Sequence, residues 1–438
     1  MEIINLGGGL AGLAAAVELI DHGYDVTLIE RRPYLGGRAS SFFHKRVGEE
    51  VDIGQHVFMR CCSAYIDFLK KIGAWDMIKI QPRLSVEVRS REGKVGSIEG
   101  SALPGPLYLL PSFLRYPFLG RGEKLGALRT LAAALVTDRN RTDKSFCDWL
   151  IEHHQSERMI ARFWDFLVLP TLNDHAGNAS TKMGLMVLQE AFLKEHGADI
   201  GYARVGLSEL AAKAADYLRR RGGAMLLGKG AESLLIEGDR VRGVGLSDGQ
   251  ILEGELFISA LPPDAMLRVL PERWRSDPFF ARGGKLGWNP IVNLYLWFDR
   301  PVLEEEFVAF LDSPIQWVFN RSKILGRPGP GQQLCLSQSG AWELIDLPPE
   351  RVLQRLLREL EQLFPYVRKA KLEKYLVTKQ RRATVFVSPE IEEHRLPHRT
   401  PIENLFLAGD WTDTGWPSTM EGAVRSGIEC ARNLITMA

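Results

Sequence analysis

Gly7, Gly9 and Gly12 have the spacing of a turn that holds a dinucleotide, and Glu30 follows about 20 residues on. Each glycine has its own task. Gly7 permits a tight turn, Gly9 lets the backbone approach a pyrophosphate, and Gly12 lets a helix pack close to a strand. Leu10 and Ala11 lie at the helix start, where unpaired N–H groups and the dipole favour phosphate. Glu30 can accept from ribose hydroxyls. Gly36 and Gly37 form a second glycine pair, flanked by Arg31 and Arg38. A plain NAD-binding unit does not need this pair. It implies another loop approaching the same cofactor, with Arg38 able to pair with a phosphate.

The elements that must position these residues are legible. Residues 2–6 form a short apolar run, a buried strand. Leu10, Leu13, Ala14, Val17 and Ile20 recur at helical spacing, Gly23 breaks the helix, and residues 26–29 form a second strand. Residues 65–72 read as an amphipathic helix. Further helices are expected over 125–136, 145–150, 158–169, 183–194 and 207–221, with Pro170 closing its segment. Residues 224–227, 233–236, 241–246 and 250–252 are separated by turn signals and predict a β-meander. Residues 256–260 read as a return strand to the parallel sheet. Strands over 291–298, 317–319, 333–336 and 381–387 and a helix over 350–364 fill the remainder.

The expected fold class is α/β: a Rossmann-type cofactor domain with a parallel sheet and meander, plus a discontinuous α+β substrate domain. The first takes residues 1–80, 205–265 and 399–438; the second takes 81–204 and 266–398. Residues 103–136 are apolar but broken by prolines, with Arg115, Arg121 and Lys124 among them. Two readings stay open: a lid or mouth touching a membrane surface, and a buried proline-rich crossing of the core.

A net charge of +1 gives no electrostatic case for nucleic acid. The five cysteines are odd in number and lack matching pairs or histidines, so neither a disulfide framework nor a metal site is expected. The glycine turn begins so near Met1 that no leader is expected before it, and no apolar run reaches the roughly 18 residues of a spanning helix. The expected place is the cytoplasm, peripherally associated with the inner face of the membrane.

Gly54-Gln55-His56 suits a loop passing close to a flat ring. The block from Leu405 to Gly427 is the most specific stretch. A strand ends at Gly409-Asp410, and a helix starts after Pro417. The glycine turn, Glu30 and Gly36-Gly37-Arg38 together resemble the FAD-dependent amine oxidases, protoporphyrinogen oxidases and carotenoid desaturases. That resemblance implies FAD. Asp410 can then accept from ribityl or phosphate-side hydroxyls. The helix start at Thr419 and Met420 can face the pyrimidine edge of the ring, Ala231 lies near the adenine, and His56 near the flavin.

The run AGDWTDTGWPSTMEGAVRSG resembles the carotenoid-desaturase branch, most closely the hydroxysqualene dehydroxylases of hopanoid pathways. Residues 52–62, 103–116, 169–173 with 179–180, and 317–320 point the same way. The resemblance implies reductive removal of an allylic hydroxyl from hydroxysqualene to give squalene, with a carotenoid desaturase or isomerase as the alternative. His56 and Asp174 are the candidate proton donors, beside water. Without a second glycine turn of this kind, NAD(P)H would reach the flavin only transiently, or another reductant serves.

Overall fold

Five apolar runs meet edge to edge in one parallel sheet: β1 (Glu2–Leu6), β2 (Asp25–Glu30), β3 (Ala224–Leu227), β4 (Leu256–Ser259) and β5 (Leu405–Leu407), in the order β3-β2-β1-β4-β5. The computed structural model describes residues 1–141, 144–327 and 329–437. Alternation sends Ile3, Leu28, Ile258 and Phe406 to one face of the sheet. Ile4, Leu6, Ile29, Phe257 and Leu407 go to the other. Both faces are covered, which is why the strands read as continuous apolar runs.

The first face is covered by α1 (Leu10–Asp21), by a helix over Leu207–Arg220, and by α3 (Met420–Ile435). A second helix, α2 (Ser63–Lys71), joins the same core. The opposite face is covered by a three-stranded antiparallel sheet, Ala231–Glu237, Arg240–Leu246 and Ile251–Glu253. That sheet is one strand shorter than the expected meander. Residues 224–227 instead pair in parallel with β2. They follow a helix, and a helical crossover returns a strand parallel to its neighbour. Gly228, at φ +74°, then separates them from the antiparallel strands.

A seven-stranded sheet builds the other half. Its order is Leu372–Val385, Trp288–Phe298, Gln332–Ser339, Trp317–Asn320, Phe307–Leu311, Ser85–Ser90 and Val95–Glu99. One face packs on the helix Pro349–Leu363. The other, carrying Tyr295, Phe307, Phe319 and Cys335, faces helical residues between 146 and 192. The first strand of this order runs from Leu372, nine residues before the expected start.

Two helices depart from expectation. The one expected to close at Pro170 continues to Leu172. Pro170 sits in the last turn, and the Thr171 hydroxyl donates to the Leu167 and Val168 carbonyls there. The one expected over 183–194 is α-helical at Thr181–Val187 and widens to a π-turn at Leu188–Phe192. The apolar stretch from 103 is partly buried and partly exposed. Tyr108, Tyr116, Phe118 and Leu119 are buried, while Leu103, Leu107 and Leu114 are exposed. Among the described residues no helix is long and apolar enough to cross a membrane.

The contact between α1 and α3 rests on Gly427. A Cβ there would lie 2.2 Å from the Ala11 carbonyl oxygen and 2.9 Å from the Ala14 Cβ. Gly427→Ala is expected to push the helices apart and lower unfolding free energy by about 1–3 kcal/mol. Urea titration measures it; an unchanged midpoint would show that the helices do not need this approach.

Candidate cofactor-binding site

The glycine turn is packed so tightly that its side chains could not be restored. Gly7 has φ +108°, and a Cβ on Gly12 would stand 1.9 Å from the Gly7 carbonyl oxygen. Asn5, fully buried, donates to the Gly12 carbonyl and pins the helix start to β1. Gly9 differs from its neighbours. A Cβ there would meet only the Gly37 Cα, at 3.9 Å. The protein itself therefore does not demand glycine at this position, whereas a phosphate lying against the backbone would. The second glycine loop lies directly beside the first. The Gly36 N–H donates to the Gly8 carbonyl at 2.8 Å, and Gly9 bridges Gly36. Helix α1 starts at Leu10 and Ala11 with no side-chain cap, leaving its N–H groups for an anion.

Glu30 holds this loop. Its carboxylate accepts from the Gly8 N–H at 2.8 Å and the Arg32 N–H at 2.9 Å. Each oxygen retains acceptor capacity for a ribose hydroxyl. Arg31 beside it is exposed. The Lys229 N–H donates to the Glu30 carbonyl and the Gly228 N–H to that of Arg32, so Ala231 begins its strand beside the end of β2. The nucleoside end of the turn and Ala231 are thus brought together.

Arg38 reaches across to the C-terminal block. Its guanidinium pairs with Asp410, donates to the Ala383 carbonyl at 2.8 Å and lies over the Trp288 ring at 5.2 Å. It ties the second glycine loop to the C-terminal block instead of pointing alone at a phosphate. Asp410 also accepts from the Ser418 hydroxyl. Gly409 has φ +152°, and a Cβ there would strike the Trp411 indole nitrogen at 2.3 Å. Thr419 caps α3 by accepting from the Gly422 N–H, which leaves Met420 at the first turn.

Sequence spacing gave no sign of three other residues that shape the site. Arg395 is buried and donates to the carbonyls of Asp410, Thr412 and Trp416, moulding that loop from behind. Ser426 accepts from the Gly409 N–H. Glu421, fully buried, accepts from the Ala64 and Tyr65 N–H groups and so caps α2 from α3. Burial pushes its carboxyl up, against the pull of those N–H groups and of Arg425.

Gly54, Gln55 and His56 follow Ile53, whose N–H donates to the Ser40 carbonyl. A Cβ on Gly54 would meet the Asn293 amide nitrogen at 2.5 Å. Gln55 accepts from Arg321 at 2.6 Å. The half-buried His56 ring places Nδ1 2.9 Å from the Gly54 carbonyl oxygen. A carbonyl only accepts, so Nδ1 carries the proton. Burial pushes the imidazole down, although the Gly54 carbonyl, Asp52 and the Arg38 carbonyl pull it up. The lowered pKa favours the neutral ring, with the proton on Nδ1 and Nε2 left as an acceptor.

The Asp174 carboxylate is buried and engaged on both oxygens. One oxygen accepts from the His175 N–H and the Asn178 amide, the other from the Asn289 amide at 2.7 Å. It fastens the end of a helix to the seven-stranded sheet. No group of side chains among the described residues could hold a metal ion.

An open glycine cradle and an uncapped helix start, joined to the C-terminal block by Arg38 and Asp410, fit a flavin-dependent oxidoreductase that binds FAD. The chain belongs to the flavin containing amine oxidoreductase family, whose profile matches residues 10–435. It is 27% identical to a 15-cis-phytoene desaturase of Glycine max, over 99% of this chain and 79% of that protein. It is 25% identical to a zeta-carotene desaturase of Synechocystis, over 99% and 97%. An oxidoreductase from Methanosarcina mazei shares the fold at a TM-score of 0.77 and 18% identity, covering 99% of this chain and 100% of that one.

Gly9→Ala separates cofactor from fold. The added methyl would make only an ordinary contact, 3.9 Å from the Gly37 Cα, so the unfolding midpoint without FAD should hold. FAD affinity should fall about tenfold or more, a loss of about 1.4 kcal/mol. Fluorescence titration of the flavin measures it, and unaltered affinity would move the pyrophosphate elsewhere.

Proposed function

We propose that this enzyme acts on a long isoprenoid and removes the hydroxyl of hydroxysqualene to give squalene. The observation that carries the substrate class is an aromatic wall on the inner face of the seven-stranded sheet. Trp317 stacks on Phe319 with centroids 5.9 Å apart and on Phe166 at 6.3 Å, and Phe307 lies 6.2 Å from Trp317. Such rings suit a hydrocarbon chain, and their faces favour an allylic cation left when water departs. The C-terminal run 408–427 supports dehydroxylation in particular. FAD, when bound, supplies the hydride chemistry. The chain's own residues exclude water and hold the hydrocarbon in place. With His56 an acceptor and Asp174 engaged, the proton for the leaving hydroxyl comes from water.

A second reading is desaturation of a phytoene-type polyene. One observation favours it: losing a hydride and a proton from carbon needs an acceptor, and the His56 Nε2 is one. The names of the relatives support the same reading. Purified enzyme with reduced FAD and hydroxysqualene should give squalene by mass spectrometry. Failure there, with conversion of phytoene by oxidised enzyme, would transfer the assignment to desaturation.

The same reading includes peripheral contact with the cytoplasmic face of a membrane, with NAD(P)H or another reductant serving the flavin. Leu107, Leu114 and Leu125 are each about half exposed, beside Arg115, Arg121 and Lys124. The Lys124 ammonium bonds the Leu114 carbonyl, which keeps the two helices of this face together. Vesicles containing anionic lipid should sediment the protein, and Leu114→Asp with Leu125→Asp should release it; equal sedimentation of both forms would exclude this face.

A further inference from the structure

We propose that Arg321 is the positioning residue for the flavin-facing segment Gly54-Gln55-His56, held from the substrate-binding sheet through Asp52 and Gln55. Residues 52–56 lie against two neighbouring strands of the seven-stranded sheet, Leu372–Val385 and Trp288–Phe298. The Thr378 hydroxyl donates to the Ile53 carbonyl at 2.7 Å, and the Tyr295 hydroxyl to the Asp52 carbonyl at 2.9 Å. Asn293 packs under Gly54. Arg321, just past the strand Trp317–Asn320, supplies the charged contact. One terminal nitrogen is 2.6 Å from the Asp52 carboxylate and the other 2.6 Å from the Gln55 amide oxygen.

Arg321 and Asp52 are both nearly inaccessible, with side chains 5% and 3% exposed. Around them, burial keeps the Tyr295 hydroxyl protonated and pushes the Cys335 thiol up to about 12. Asp52 is the carboxylate that faces the guanidinium. The Arg321 Nε is buried with no partner. A pair selected for stability alone would not leave a buried donor unmet, because apolar packing does as well at lower cost. What the geometry does secure is a fork with one prong on the aspartate that opens the segment and one on the glutamine next to His56. Asp52 is itself fixed, accepting from the Ser41 hydroxyl and the Leu207 N–H of the cofactor half. The fork therefore sets the height of the segment between cofactor and sheet. Asn320 fixes the base of the fork, donating to the Leu303 carbonyl and accepting from the Lys323 N–H.

The proposal rests on FAD binding and on the placing of residues 54–56 beside the flavin, and is independent of which isoprenoid is turned over. Four variants of the FAD-loaded full chain test it: Arg321→Met, Arg321→Lys, Gln55→Met and His56→Ala. The readouts are the visible flavin spectrum, its midpoint potential and FAD affinity. Arg321→Met and Gln55→Met should both shift the spectrum and potential and weaken FAD about tenfold, with Arg321→Lys partly restoring them. Gln55→Met retains the buried ion pair, so it decides the matter if Arg321→Met does not fold. A lower melting temperature with unchanged spectrum, potential and affinity in Gln55→Met and in any folded Arg321→Met overturns the proposal. If His56→Ala still alters the flavin in that case, the placing of the segment stands and only the fork fails. If His56→Ala is silent as well, both fail.

Discussion

The close approach of four glycine backbones is the constraint on which the molecule depends. Gly7 and Gly12 touch across the turn, and Gly9 and Gly37 touch between the loops, with a Gly37 Cβ landing 3.0 Å from the Gly9 Cα. This contact brings the ends of β1 and β2 and the second loop to one place. It also sets where α1 begins, and α1 in turn receives α3 through Gly427. The C-terminal block is carried on α3. The first and last parts of the chain are thus packed as one unit.

Buried charges brace what the glycines bring together. Arg38 with Asp410, Glu421 with two N–H groups and Arg321 with Asp52 each join segments far apart in sequence, and Arg395 holds three carbonyls of the nearby C-terminal loop. Pairs of this kind add little net stability, because desolvation offsets most of the attraction, but breaking one costs about 3–5 kcal/mol. Their effect is directional. A loop held by several short hydrogen bonds has few alternative positions, and a ring bound against it is held within a narrow range of geometry.

What could be read from the sequence follows from how local each constraint is. The glycine turn, β1, α1 and β2 were legible because strand, turn and helix signals lie within thirty consecutive residues. Helix 207–220 was legible for the same reason. The placing of residues 224–227 was not, because their alternation is equally suited to a meander and to the edge of a parallel sheet; only the preceding helix decides. Arg321 and Glu421 were missed since each acts on a partner remote in sequence: Asp52 lies 269 positions from Arg321. No spacing rule covers such pairs. One signal was available, since an arginine directly after the apolar strand Trp317–Asn320 is poorly placed for solvent.

The proton at His56 bears on the direction of the chemistry more than any motif does. An imidazole whose Nδ1–H is spent on a backbone carbonyl cannot give that proton away without losing the bond that orients the ring. It can receive one on Nε2, and burial makes the resulting cation unfavourable, so the proton would be passed on quickly. Dehydroxylation needs no base beside the ring; desaturation does. An aromatic wall serves both reactions, since both pass through electron-poor carbon. The fold and the cofactor therefore leave the substrate's own reactive group to decide. An allylic alcohol ionises with help from water, whereas a polyene C–H requires the acceptor. On the proposed reading the two courses share the cofactor, and they differ in whether the His56 Nε2 is called on to take a proton.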